Sequence, residues 1–260
     1  MKKLALLAAT GFAALVLTAS TGAITFGQLD GNRHPNVGAL IAEFEGEKGI
    51  LCSGTLISPT VFLTASHCTA FLESIDVAAD DVWVTFDPSF DADSPLIGGT
   101  YHTHPEFGFS GPGGFSDPHD IAVVVLDRAV NGVAPATLPT LNFLQTIALK
   151  KESFTAVGYG TVREDKTGAF QSLFFDGQRR FATQTANSLN PSWLHLSMNP
   201  STGDGGTCFG DSGGPHFYRD MNVVVSITIT GDRFCRATDV TYRTDTASAR
   251  AFLDDFVTLP

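Results

Sequence analysis

Between residues 210 and 214 the chain reads Gly-Asp-Ser-Gly-Gly. A serine in such a setting can attack a carbonyl. It needs a base within reach to take its proton, and N–H groups aimed at the charge the attack creates. Glycines on both sides allow the close backbone approach that both require. The only histidine after Ser212 is His216, too near in sequence to fold back as its base. Upstream, His67 stands in Thr64-Ala65-Ser66-His67-Cys68, and Asp120 heads the apolar run Ile121 to Leu126. Taken singly, a histidine beside a cysteine reads as structural, and an aspartate before a strand as a turn residue. Their order along one chain supports a chemical reading: His67 as general base, Asp120 as the carboxylate that orients it, Ser212 as nucleophile.

The Gly-x-Ser-x-Gly spacing also fits the strand-to-helix elbow of the α/β hydrolases. That arrangement takes its acid and then its histidine from downstream of the serine, and it alternates helices with strands. This sequence offers neither, which disfavours an esterase or lipase of that class.

The elements that must position these residues are strands. Short β-branched and aromatic runs, among them Val82 to Phe86, Ile121 to Leu126, Phe154 to Val157 and Val223 to Thr230, are separated by Gly, Pro, Asp and Asn. One helix is expected, at the C-terminus, where Ala249, Phe252, Leu253 and Phe256 recur at helical spacing behind the possible caps Thr246 and Ser248. A loop from Gly132 to Pro139 divides the β region into halves, 24–134 and 135–260. The Gly- and Pro-rich stretch from Pro88 to Pro118 reads as one long surface loop. No internal repeat or low-complexity tract is visible.

Met1-Lys2-Lys3, the apolar run from Leu4 to Leu17 and the small residues from Thr18 to Ala23 form the three parts of a secretory signal. Residues 1–23 are therefore expected to be removed, and the protein to be secreted to a periplasm or to the medium. The run is too short to be read first as a membrane span, and none comparable follows. The remaining 237 residues can bury a large core. Loss of Lys2 and Lys3 takes the formal charge from −11 to −13, which favours solubility and argues against nucleic-acid or membrane partners. Cys52, Cys68, Cys208 and Cys235 are an even number in a secreted chain, better suited to two disulfides than to a metal site, with three pairings open.

His67 within TASHC, Asp120 within DIAVVVL and Ser212 within GDSGGP resemble the three motif blocks of the chymotrypsin-like (trypsin) serine protease family. The resemblance spans almost the whole mature chain. It implies an all-β fold of two six-stranded antiparallel Greek-key barrels with a C-terminal helix. It also implies a secreted endopeptidase that forms an acyl-enzyme on Ser212 and uses no cofactor. The backbone N–H groups of Gly210 and Ser212 would form the oxyanion hole. Cys52 would pair with Cys68, and Cys208 with Cys235. A freed Ile24 ammonium would pair with Asp211, and cleavage after Ala23 would make signal removal itself the activating step; the alternative is a cut elsewhere, such as after Ala19, with a short pro-segment trimmed later. The implied partners are protein or peptide substrates and proteinaceous inhibitors, met by a monomer.

The chain departs from the family pattern at the substrate pocket. Gly206, six residues before Ser212, stands at the pocket floor in place of the aspartate that selects Arg or Lys. Gly231 takes the place of the entrance glycine, while Ile229 and Thr230 replace the usual Ser and Trp. An ungapped match at Tyr242 brings Val240 to the opposite wall, favouring small or medium apolar side chains. A shift of one residue would bring Asp239 there and favour basic ones; the ungapped register is the one expected. The competing function is a catalytically silent binding protein of the same fold. Such proteins usually lose a triad or oxyanion-hole residue, whereas His67, Asp120, Ser212, Gly210 and Gly213 are all present. Asp76, Asp80, Asp81, Asp87, Asp91 and Asp93 fall where some members carry a calcium loop, but their spacing matches no calcium motif. His102-Thr103-His104 has ligand-like spacing, yet His104-Pro105 resembles a family loop before the catalytic aspartate. No metal is assigned.

Overall fold

In the computed structural model, which describes residues 24–108, 116–163 and 173–260, the strand-forming runs close on themselves twice. The expected signal segment 1–23 lies outside the described residues. After the two-residue β1 (Gln28–Leu29), the first barrel is built from β2 (Val37–Phe44), β3 (Glu47–Ser58), β4 (Val61–Thr64), β5 (Val82–Thr85), β6 (Ile97–Thr103) and β7 (Ala122–Leu126). Its strands bond in the order β2-β3-β4-β7-β6-β5, and β2 on β5 closes the ring. Helix α1 (Ser66–Ser74) lies between β4 and β5. A short helix α2 (Phe143–Thr146) leads to β8 (Ser153–Gly158), followed by β9 (Val162–Arg163) and β10 (Leu173–Phe174), which pair with each other. The second barrel joins β8 to β11 (Arg180–Leu189), β12 (Trp193–Ser197), β13 (Pro215–Tyr218), β14 (Val224–Gly231) and β15 (Thr238–Arg243) in the ring β8-β11-β12-β15-β14-β13. If the six strands of each barrel are counted from its own first, both rings run 1-2-3-6-5-4, one Greek-key order used twice. The chain ends on α3 (Ala247–Leu253).

The two barrels are filled differently. The first is apolar, with Leu40, Leu56, Phe62, Val84 and Val124 fully buried. Gly54 makes room for the Phe62 ring, since a Cβ there would lie 2.5 Å from ring Cζ. In the second, β11 alternates from Arg180 to Asn187 and turns Ala182, Gln184 and Ala186 inward, while β15 buries Asp239, Thr241 and Arg243. This interior holds carboxylates, an amide and the imidazole of His216 as well as hydrocarbon.

Two sequence expectations need correction. Pro88 to Pro118 is not one loop: Ile97–Thr103 is strand β6, held between β5 and β7 despite Gly98 and Gly99. A Cβ on Gly99 would lie 2.7 Å from the Val125 carbonyl, so the glycine that weakens the strand signal is what the barrel wall requires. Helix α1 was not foreseen because its apolar residues form no broad stripe, with Leu72 buried but Phe71 exposed. The expected C-terminal helix is present: Thr246 Oγ1 accepts from the Ala249 N–H at 3.1 Å, and Phe252 and Leu253 are buried. Phe256 lies beyond its last turn, with its ring 5.2 Å from that of Phe252.

Arg179 ties the barrels together. Its guanidinium is fully buried and donates to Asp30 Oδ2 (2.8 Å), to the carbonyls of Val37 (2.8 Å), Phe86 (2.9 Å) and Gly31 (2.8 Å), and to the Tyr159 hydroxyl (3.2 Å). Val37 and Phe86 belong to the first barrel's edge, and Tyr159 follows the first strand of the second. Arg179→Met is expected to lower unfolding free energy by about 3–5 kcal/mol in denaturant titrations, because Asp30 loses its buried cation. Arg179→Met with Asp30→Asn should recover part of that loss, and an unchanged midpoint in the single variant would contradict this role.

Candidate active site

The N-terminus of α1 is where the histidine is placed. Ala65, its N-cap residue, offers no capping side chain, so the first N–H groups need an acceptor from elsewhere. Asp120, 53 residues away, supplies it: Oδ1 accepts from the His67 backbone N–H at 2.9 Å, and Oδ2 lies 2.9 Å from His67 Nδ1. A carboxylate can only accept here, so the proton sits on Nδ1, and Nε2 keeps the ring's lone pair. Side-chain exposure is 5% for Asp120 and 32% for His67, which leaves the carboxylate shielded and the imidazole reachable.

The supports are local. Cys52 on β3 is bonded to Cys68 beside the histidine, and the Ser66 hydroxyl donates to the Ile121 carbonyl (2.7 Å) while accepting from the His104 N–H (2.9 Å). His119, just before Asp120, takes a left-handed turn at φ 52°, and its Nδ1 lies 2.9 Å from Ser248 Oγ of α3.

Ser212 is half-buried on the loop before β13. Its carbonyl accepts from the Ser53 N–H at 2.9 Å, joining this loop to the first barrel next to Cys52. Gly213 lies against the start of α1, since a Cβ on it would stand 2.7 Å from the Ala65 nitrogen, two residues before His67. With φ at +76°, Gly213 also needs a backbone conformation that other residues resist. Within this loop the N–H groups of Cys208, Asp211, Gly213 and Gly214 donate to protein acceptors, while those of Gly210 and Ser212 have no acceptor among the described residues. Cys208 is bonded to Cys235, so both disulfides join the pairs that the resemblance implies.

Ser53 went unrecognised in the sequence. Its hydroxyl donates to the Gly210 carbonyl (3.0 Å) and accepts from the Tyr159 N–H (3.0 Å), fixing the peptide ahead of Asp211. No single-sequence signal marks it, because both partners are more than 100 residues away.

Asp211 is fully buried. Its two oxygens accept from Gly160 N–H (2.8 Å) and Cys208 N–H (2.9 Å). Burial pushes its carboxyl up to about 7, the two N–H donors pull the other way, and the nearby Asp239 carboxylate adds to the rise. Ile24 is likewise buried in this barrel, against Ala156 and Ala182. Thr25 exchanges backbone hydrogen bonds with Gly206 at 2.7 and 2.9 Å.

A cleft opens beside Ser212, walled by Thr207 to Phe209 on one side and by Thr228 to Arg233 on the other. Gly231 lines it; Gly206, Asp239 and Val240 do not. Asp239 points into the barrel, where Oδ2 accepts from Gln184 Nε2 (2.9 Å) and lies 3.0 Å from His216 Nε2. Val240 is half-buried on the other face of β15.

Among the described residues, two groups of side chains have metal-like proximity. In the first, Cys52, His67 and Cys68, both thiols are consumed by the disulfide. In the second, His104, Glu106 and His119, the Glu106 N–H donates to His104 Nδ1 at 3.1 Å. That leaves the neutral ring's proton on Nε2, so neither nitrogen of His104 offers a free lone pair.

Over residues 30–252 the chain matches the Trypsin family model. A curated relative, the CLIP domain-containing serine protease B10 of Anopheles gambiae, is 29% identical over 210 residues, which is 70% of this chain and 55% of the relative. The chain thus spans about half the length of that relative. Among solved structures, one titled HL collagenase aligns with a TM-score of 0.66 at 16% identity, over 91% of this chain and 100% of its own. A scabies mite inactivated protease paralogue aligns with a TM-score of 0.60 at 18% identity, over 88% and 98%. Identities this low speak for the fold alone. The family match begins ahead of β2 and ends within α3, taking in every strand of both barrels, and the chain therefore belongs to the trypsin family.

Proposed function

We propose that this protein is a secreted serine endopeptidase acting through Ser212, His67 and Asp120. The observation that carries the reading is the pair of hydrogen bonds from His67 to the buried Asp120 carboxylate, because it sets the tautomer that a general base requires. Ser212 Oγ attacks the scissile carbonyl carbon as its proton passes to His67 Nε2. The carbonyl oxygen becomes an oxyanion that accepts from the Gly210 and Ser212 N–H groups, each such donor worth roughly 3–4 kcal/mol to the transition state. Collapse breaks the C–N bond, His67 gives its proton to the departing amine, and an ester remains on Ser212. Water then attacks that ester, His67 again takes and returns the proton, and the acid product leaves.

The competing reading is a catalytically silent binding protein. The scabies mite neighbour is titled inactivated, but its 18% identity bears on fold only. Retention of His67, Asp120, Ser212, Gly210 and Gly213 favours activity. The carboxylates near the cleft are already engaged, which supports apolar rather than basic substrate side chains: Asp232 accepts from the N–H groups of Phe234, Arg236, Ala237 and Thr238, and Asp239 is held by Gln184 and His216.

Activation follows from Asp211. A fully buried carboxyl raised to about 7 has two N–H donors and no cation beside it among the described residues. An ammonium freed at Ile24, inside the same barrel, would supply one, with removal of residues 1–23 as the activating cut.

Protein beginning at Ile24 is expected to hydrolyse peptides. Ser212→Ala should lower kcat/KM by about 10⁴-fold or more, and Asp120→Asn by about 10⁴-fold. Full activity in Ser212→Ala would contradict the mechanism. A chain that retains residues 20–23 has no ammonium at Ile24, so Asp211 keeps its raised value of about 7 against 3.8. Between those values the folded state holds a proton that the unfolded state has released. Stability of the extended chain should therefore fall as pH rises from about 4 to about 7, by on the order of 4 kcal/mol. The chain starting at Ile24 should lack that slope, and equal slopes in the two would argue against the ion pair.

A further inference from the structure

Gly206 carries no side chain, yet the room beside it is already occupied. A Cβ built on Gly206 would lie 2.5 Å from both Met198 Sδ and Gln184 Nε2, and one built on Gly231 would lie 3.4 Å from Met198 Cε. The Met198 thioether therefore runs from the pocket-floor position to the pocket-entrance position, and it is fully buried there. It is also anchored: Met198, just past the end of β12, donates its backbone N–H to the Ala237 carbonyl at 3.0 Å. Ala237 lies two residues beyond Cys235, whose disulfide to Cys208 fixes both walls of the cleft. Beside the same glycine lies Gln184, which donates to Asp239 Oδ2, and that oxygen lies 3.0 Å from His216 Nε2; all three side chains are fully buried.

We infer that Met198 is a specificity-determining residue that sets the depth of the substrate pocket. By ending the cleft short of Gly206, it admits small side chains such as those of Ala, Val and Thr. It turns away Phe, Arg and Lys, which need the filled depth. Asp239 Oδ2 is engaged by Gln184 and His216 and does not line the cleft, so the acid in this barrel does not confer a preference for cations. The inference rests on the serine endopeptidase reading and adds the residue that chooses the substrate.

The test is steady-state kinetics on a peptide series with Ala, Val, Leu, Phe and Lys before the scissile bond. It compares the wild-type chain starting at Ile24 with Met198→Ala and Met198→Leu, using Ser212→Ala as the blank. The wild type should favour Ala and Val. Met198→Ala should raise the Phe-to-Ala ratio of kcat/KM by about tenfold or more, and Met198→Leu, which conserves volume, should keep it within about threefold. A purely structural role would change stability and leave this ratio alone. Should Met198→Ala fail to fold by circular dichroism, Met198→Val removes less volume and should move the ratio in the same direction. A wild type that cleaves best after Phe or Lys overturns the inference with the protease reading intact. So does an unmoved ratio in a folded variant that still cleaves after Ala. A wild type that cleaves no peptide removes the protease reading, and this inference with it.

Discussion

Two hydrogen bonds from one residue to one carboxylate carry this site. Asp120 caps the open end of α1 through the His67 N–H and fixes the His67 ring through Nδ1. Helix, histidine and β7 therefore hold one another in place. Burial of Asp120 is tolerable because both oxygens are bonded, and removing either bond would leave a desolvated charge uncompensated. Ser212 is tied to this assembly through the first barrel: the Ser53 N–H holds the Ser212 carbonyl, and Gly213 packs against the residues before α1. Each barrel contributes part of the candidate site, and the Arg179 cluster bonds to both.

The interior of the second barrel is a second constraint. Asp211, Asp239, His216 and Gln184 are all buried there, and Asp239 Oδ1, His216 Nδ1 and Gln184 Oε1 have no hydrogen-bond partner among the described residues. Such groups cost stability, and an apolar filling would avoid that cost. Their position behind the nucleophile loop and the pocket gives them consequences. Asp239 helps raise Asp211, and Gln184 and His216 hold its Oδ2 inside the barrel, off the cleft lining.

Much of the fold and the pairing of His67 with Asp120 is legible in the sequence, for identifiable reasons. Strand runs such as Val82 to Phe86 and Val224 to Gly231 carry their own propensity, and the blocks around His67, Asp120 and Ser212 are specific in type and order. The capping pattern at Thr246 is local, and it appears in the structure as written. What could not be read depends on distant partners. Strand β6 is disguised by the glycines that let it pack against β7, and α1 is capped by an aspartate 53 residues away. Ser53 and Met198 are ordinary residues until the barrels close around them. Alignment by motif brings Val240 or Asp239 to the pocket wall, whereas neither lines the cleft and the space beside Gly206 is filled by Met198.

The proposed chemistry requires Ser212 to be a nucleophile activated by a histidine held on Asp120. Its most direct test is reaction of the folded chain beginning at Ile24 with a fluorophosphonate, followed by peptide mass spectrometry to locate the adduct. One phosphonylated residue, Ser212, is expected, with loss of that adduct in His67→Ala. A folded protein that takes up no label, or that carries it on another residue, would contradict it.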